Sequence, residues 1–309
     1  MKEIICYYYN IDIYEIEEYN TYVTFKYNGE LYYFVYYNRT KEELNDILKV
    51  VGELKQKGIL VHDIIYNKDG LVITNVREKP YILLKINSNI TEVINFTDIC
   101  ENTSNLRLNN NSSRLYRNNW EELWSEKIDY FEYQVGELGH NKDIILNSFN
   151  YYIGLAENAI SYVNYTKNNY QLSDYDHITL SHRRIFFPNI HLNYYNPLSF
   201  IFDLEVRDIA EALKVNFFNN ENVYLDLQTY LKIHPLTPFS YHMLYARLIY
   251  PSYYFDIYED VMNNMGSEEQ LLKIVEKVNS YEEFLEFAYL EISKYTKLHK
   301  IDWLIKKEL

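Results

Sequence analysis

The chain is short of cysteine, of positive charge and of long apolar runs, and each shortage removes a class of function. Only Cys6 and Cys100 are present among 309 residues, which excludes a disulfide framework and a cysteine-rich zinc site. Both read as buried free thiols. Thirty Lys and Arg residues face 44 Asp and Glu, for a formal charge of -14. Broad contact with nucleic acid is excluded, because such binding draws its affinity from cations that neutralise phosphates. No apolar run approaches the roughly 20 residues that a bilayer-crossing helix needs. The apolar patch within Met1–Cys6 soon meets Asp12, Glu15, Glu17 and Glu18, with no signal-peptide core or cleavage site. The expected location is the cytoplasm. No glycine precedes Gly29, so a glycine-rich loop that brings its amides around a phosphate is missing from the first strands.

A hydrophobic fraction of 48% excludes wholesale disorder. The length suggests two domains or lobes at about 150 residues each. Tyrosine is abundant, at 35 residues. Asn, Ile, Lys and Phe are abundant too, and all five have A/T-rich codons, so genome composition accounts for the tyrosines before a stacking function does.

Two β-rich runs, Tyr22–Tyr27 and Glu30–Tyr37, flank Asn28-Gly29. Both central residues of a type I′ turn need positive φ, so this pair predicts a hairpin. Thr40-Lys41-Glu42-Glu43 has the capping-box pattern, and Leu44, Ile47, Leu48, Val51 and Leu54 follow helical spacing up to a stop at Gly58. Strands are expected at Leu60–Tyr66, Leu71–Val76 and Tyr81–Ile86, with a tight turn at Asp69-Gly70. From Ile90 to Asn119 the chain turns polar and reads as a loop or junction. Helices follow, one marked by Trp120, Leu123, Trp124, Ile128, Phe131 and Val135, another by Ile145, Phe149, Tyr152, Ile153, Ala156, Ile160 and Val163. Short strands are expected around His177–Ser181 and Leu198–Asp203. The expected organisation is α+β: a β-rich N-lobe with one helix over 1–88, a polar junction over 89–119, and a larger, mainly helical C-lobe over 120–309.

One stretch carries chemistry. In Ser181-His182-Arg183-Arg184-Ile185-Phe186-Phe187-Pro188-Asn189, the spacing from His182 to Asn189 matches the kinase catalytic loop H-R-D-L-x-x-x-N, and Ile201-Phe202-Asp203-Leu204-Glu205 stands where a metal-binding aspartate follows. The mismatch is Arg184, at the position of the catalytic aspartate. The sequence thus resembles the aminoglycoside phosphotransferase and choline-kinase-like superfamily, with its protein-kinase-like fold. In that superfamily the Ile-Asp-Phe/Leu-Glu segment precedes an Arg-Asp that opens a helix, as Arg207-Asp208 does here. The spore-coat kinase-like branch is the most similar, through Trp120–Leu123, Phe149-Asn150-Tyr151-Tyr152, Ala156-Glu157-Asn158-Ala159, Leu236-Thr237-Pro238 and Leu248-Ile249-Tyr250-Pro251.

The resemblance implies Asn189 and Asp203 as magnesium ligands if nucleotide is bound. It also implies a lysine on the strand before the first capped helix, paired with a glutamate of that helix. Leu31–Tyr37 has no lysine, although Glu42, Glu43 and Glu53 are available. Arg184 cannot accept a proton, and it is expected to pair with Asp203, Asp208 or Glu205 in place of magnesium. His182 reads as a hydrogen-bonded scaffold. Trp120 and Trp124 read as core, and His177, His182 and His191 lack the spacing of a zinc site. The expected function is therefore a catalytically degenerate kinase-like protein of spore-coat or other assembly type, with protein partners, no certain cofactor and possible spore association. The alternative is a Mg-ATP-dependent phosphotransferase acting on a small hydroxylated molecule, with Asp174 or Asp176 as a base.

Overall fold

The structure, a computed structural model, describes residues 1–19, 22–88, 90, 94–105, 114–185 and 194–306. The chain divides into two compact units. The first comprises Met1–Ile94, Asn110–Leu115 and His182–Phe200; the second comprises Asn95–Asn109, Tyr116–Ser181 and Ile201–Leu309. The segment that begins at His182, expected in the helical C-lobe, groups with the first unit.

In the first unit, strands β1 (Glu17–Glu18), β2 (Tyr22–Tyr27), β3 (Glu30–Tyr36), β4 (Asp63–Ile65), β5 (Ile73–Val76) and β6 (Lys79–Lys85) form one sheet. Its order is β1-β2-β3-β6-β4, with β5 also on β6, and every pairing is antiparallel. The β2–β3 turn is the expected one, with φ of 50° at Asn28 and 80° at Gly29. Period-two alternation gives the sheet two apolar faces. Val23, Phe25, Phe34 and Leu83 pack with helix α1 (Lys2–Tyr9) through Ile5. Ile82 and Leu84, with Tyr33 and Val35 beside them, pack with Leu44 and Leu48 of helix α2 (Lys41–Gln56).

Helix α2 starts as the sequence indicates. Thr40 Oγ1 accepts from the Glu43 amide at 3.1 Å, and the Glu43 carboxylate accepts from the Thr40 amide at 3.1 Å. It stops in a Schellman arrangement around Gly58 at φ 72°, with Ile59 N donating to Leu54 O at 2.9 Å and Gly58 N to Lys55 O at 3.0 Å.

Three features depart from expectation. The first unit contains α1 as well as α2, so it holds two helices rather than one. The tyrosine-rich start masks α1, which has no side-chain N-cap and ends at Asn10 in the left-handed region. The polar stretch after Ile90 contains a helix, α3 (Phe96–Asn105). Its start is fixed by a reciprocal cap in which the Asn95 and Asp98 side chains each accept the other's amide, at 3.0 and 2.8 Å, and its buried Phe96, Ile99, Cys100 and Thr103 follow helical spacing. Third, the β5–β6 hairpin turns at Arg77-Glu78, a pair without a turn signal; the expected tight turn at Asp69-Gly70 is present and held by Asn67.

The second unit is mainly helical: it holds α3 together with α4 (Trp120–Leu138), α5 (Asp143–Asn169), α6 (Val206–Phe218), α7 (Val223–Ile233), α8 (Pro238–Ile249), α9 (Ser252–Met262), α10 (Glu269–Val275) and α11 (Val278–Ile292). Helix α8 is buried at every position from Phe239 to Ile249, the polar Ser240, His242 and Arg247 included; α5 and α6 pack against it. Strands β7 (Ile178–His182) and β8 (Phe200–Leu204) pair as a two-stranded ribbon. The ribbon delivers Asp203 to the start of α6. Among the described residues no helix is long and apolar enough to cross a membrane.

The Arg77-Glu78 turn holds two exposed side-chain-bearing residues at φ 48° and 67°, a conformation that a type I′ turn assigns to Asn-Gly. Replacing the pair by Asn-Gly is expected to stabilise the protein by about 1 kcal/mol in urea unfolding.

Burial also raises many tyrosine phenols. Tyr33, Tyr37 and Tyr254 are pushed up to about 12, by burial first, from an ordinary value of about 10. Above pH 10 the folded chain therefore keeps protons that the unfolded chain releases. Their stabilising contribution is complete below about pH 10 and falls as pH rises towards 12. Thermal melts are expected to drop progressively through that window. Tyr152, stacked on Tyr254 at 3.7 Å, has a buried hydroxyl with no hydrogen-bond partner among the described residues. Tyr152→Phe should leave the neutral-pH melting temperature unchanged or higher and reduce the alkaline drop.

Candidate functional site

The site is built around Asp203, whose side chain is 0% exposed. β8 places it at the end of the ribbon, and three donors from different elements converge on its carboxylate. Trp120 Nε1, at the first residue of α4, lies 2.9 Å from both oxygens. The Leu204 amide donates to Oδ1 at 2.8 Å. Arg207 Nη1, in the first turn of α6, donates to Oδ2 at 2.7 Å as a buried ion pair. Burial pushes the Asp203 carboxyl up, against Arg207, Arg247, Trp120 and the Leu204 amide. Both oxygens accept and neither donates, so the geometry is that of the carboxylate.

The charges continue inward. Glu211 Oε1, one turn along α6, accepts from Lys214 Nζ at 2.8 Å and from Arg247 Nε at 2.6 Å. Lys214 also donates to the carbonyls of Arg247 and Tyr250 and to Ser252 Oγ, whose hydroxyl in turn donates to Glu211 Oε2 at 2.8 Å. Burial opposes ionisation of Glu211, yet Lys214, Arg247 and Arg207 hold its carboxyl well below the usual range. Burial pushes the Lys214 ammonium down to about 8, with Glu211 opposing the shift. The Arg247 guanidinium lies 5.0 Å from the Trp120 ring centre and 5.3 Å from that of Trp124, and the two indoles stack at 5.3 Å. Two carboxylates, three cations and two indoles thus form one buried network, with all of its members inside the second unit.

The other motif residues occupy distinct settings. His182 is buried, with Nε2 2.7 Å from the Tyr194 carbonyl and its ring stacked on Tyr194 at 4.2 Å. The Arg184 side chain is half-buried, and its Nη1 donates to the Arg183 carbonyl at 2.9 Å. Asn189 and His191 lie outside the described residues. Asp203 takes a guanidinium from Arg207, a pairing at i and i+4. Asp176 is built into the start of α8: it accepts from Ser173 N and Oγ at 2.8 Å, from Ser240 Oγ at 2.6 Å and from Thr237 Oγ1. Burial opposes these bonds, but together they lower its carboxyl below the ordinary value. A carboxylate so stabilised is a poor proton acceptor.

The first unit answers the question of the missing lysine. The β3 residues on the α2 side of the sheet are Tyr33 and Val35. Glu43 on α2 is engaged by its own cap and by Arg39, which donates to it through Nε and Nη2 at 3.3 and 3.1 Å. Arg39 Nη1 meanwhile binds the carbonyls of Leu198 and Phe200 at 3.1 and 2.8 Å. The buried Asp46 carboxylate accepts the Arg114 amide at 3.1 Å.

A magnesium ion needs oxygen ligands with free lone pairs and room for bound water. Asp203 offers neither, since it has no exposed surface and each oxygen already takes two protein contacts. Among the described residues, no three His, Cys, Asp or Glu side chains are grouped to hold a metal. Among the described residues, Asp203 as it is bonded does not fit the ion.

Comparison with known proteins places this site in context. An aminoglycoside phosphotransferase from Alicyclobacillus acidocaldarius superposes with a TM-score of 0.62 at 10% identity, covering 95% of this chain and 97% of that one. The AMP-bound spectinomycin phosphotransferase APH(9)-Ia does so with a TM-score of 0.57 at 14% identity, covering 93% and 96%. These likenesses establish a kinase-like α+β fold. The "Endospore coat-associated protein YutH" of Bacillus subtilis (strain 168) is 31% identical over 211 residues, which span 60% of this chain and 61% of that relative. The family described as "Spore coat putative kinase YutH" matches residues 2–288. With nearly its whole length matched, the chain belongs to that spore coat kinase-like family.

Proposed function

We propose that the chain is a catalytically degenerate kinase-like protein that serves as a binding or assembly component of the spore coat. The observation that carries this reading is the state of Asp203. A carboxylate that should bridge magnesium to phosphates is instead sealed by Trp120, Leu204 and Arg207. Three further features support it. Arg184 replaces the residue that accepts the substrate proton, and a guanidinium stays charged. Tyr33 and Val35 stand on the sheet face from which a lysine would reach phosphates. The β1–β2 region carries Glu17, Glu18 and Tyr19 where kinases cover phosphates with glycines. The spore coat as working place follows the relative's name, and its partners are proteins of that assembly.

Mg-ATP separates this reading from an active phosphotransferase. A ligand that binds the folded state raises the melting temperature as its concentration passes its dissociation constant. The full chain is expected to melt at the same temperature in magnesium alone and in millimolar Mg-ATP. A magnesium-dependent rise that grows with ATP concentration would overturn the proposal and make small hydroxylated molecules the acceptors to screen.

A further inference from the structure

We propose that a groove at the β1 end of the N-terminal sheet binds an alkylammonium group. The groove has a volume of about 630 Å³ and lies wholly within the first unit. Its lining shares no residue with the Asp203 network, so the proposal is independent of the function argued above.

Three lining tyrosines form a ladder. Tyr19 stacks on Tyr22 at 4.6 Å and 23°, and Tyr22 leans on Tyr33 at 5.4 Å and 35°. Tyr19, at the outer end, is 52% exposed, which leaves aromatic surface open to a ligand. The face of an aromatic ring carries negative potential and attracts ammonium groups. Glu17 is tied to this ladder, because its Oε2 accepts from Tyr19 Oη at 3.1 Å and from the hydroxyl of the buried Thr24 at 3.4 Å. Its Oε1 takes no hydrogen bond among the described residues, and no cation pairs with it there. Glu15 supplies a second carboxylate, and among the described residues Lys26 is the one lining cation. The Tyr33 phenol responds to the same field: after burial, Tyr22, Tyr19 and Glu17 all act to raise it.

Stacked rings beside an unanswered carboxylate suit a group that is both apolar and cationic, and they repel phosphate. The alkylammonium can belong to a free amine or to a lysine side chain of a protein. Calorimetric titration of the full chain at constant ionic strength tests the site with butylammonium chloride, 1-butanol and a blocked Gly-Lys-Gly peptide. Saturable binding of butylammonium without binding of 1-butanol is expected. Glu17→Gln and Tyr19→Leu, both at exposed positions, should weaken it about tenfold without lowering the melting temperature. Tighter binding of the peptide than of butylammonium identifies a protein side chain as the source; equal binding identifies a free amine. The proposal fails if butylammonium does not saturate, if 1-butanol binds equally, or if Glu17→Gln binds as the wild type does.

Discussion

A carboxylate with no exposed surface must be answered by charge and by hydrogen bonds, and the second unit is arranged to answer Asp203. Taking such an ion out of water costs several kcal/mol unless its geometry is satisfied. Trp120, Leu204 and Arg207 satisfy it, while Glu211 answers the cations Lys214 and Arg247. The arrangement ties the ribbon to the starts of α4 and α6, and through Arg247 to the central α8. The same interactions that make the network stable remove the lone pairs a metal would need.

The first unit reaches a comparable end by different means. Glu43 caps its own helix and holds Arg39, which in turn fastens Leu198 and Phe200 through their carbonyls. Glu43, one of the three glutamates of α2 open to a nucleotide-binding lysine, is committed to its cap and to Arg39, and the facing strand offers tyrosine and valine. The two units differ from the kinase sequence pattern at separate sets of residues. The fold is kept because its hydrophobic cores do not depend on those polar positions.

Local signals were readable in the sequence. Asn28-Gly29, the Thr40–Glu43 capping box, the Gly58 stop and the long helices α4 and α5 all rest on residues within a few positions of each other, and all are present. Helix α3 is hard to read in the sequence because its cap is an Asn-Asp pair in a polar stretch, although Phe96, Ile99, Cys100 and Thr103 carry the helical period. The Arg77-Glu78 turn uses residues that do not announce positive φ. The site was partly legible: Asp203 and Arg207-Asp208 were recognised in order along the chain. Its connection to Trp120, 83 positions away, and to Arg247 comes from tertiary packing, which spacing does not encode. Two elements of the network do have local spacing, Asp203 with Arg207 at i and i+4 and Glu211 with Lys214 at i and i+3. A lysine on the apolar face of α6 was the available hint.

The central claim is that Asp203 is a structural ion and not a vacant metal ligand. Urea unfolding of wild type and Asp203→Asn measures this directly, since the amide keeps the shape and removes the charge. If the carboxylate neutralises buried Arg207 and Arg247, the substitution leaves cations uncompensated and lowers the unfolding free energy by about 3 kcal/mol or more. Unchanged or increased stability in Asp203→Asn would contradict the account, because it would mark a carboxylate held for a ligand at the expense of the fold.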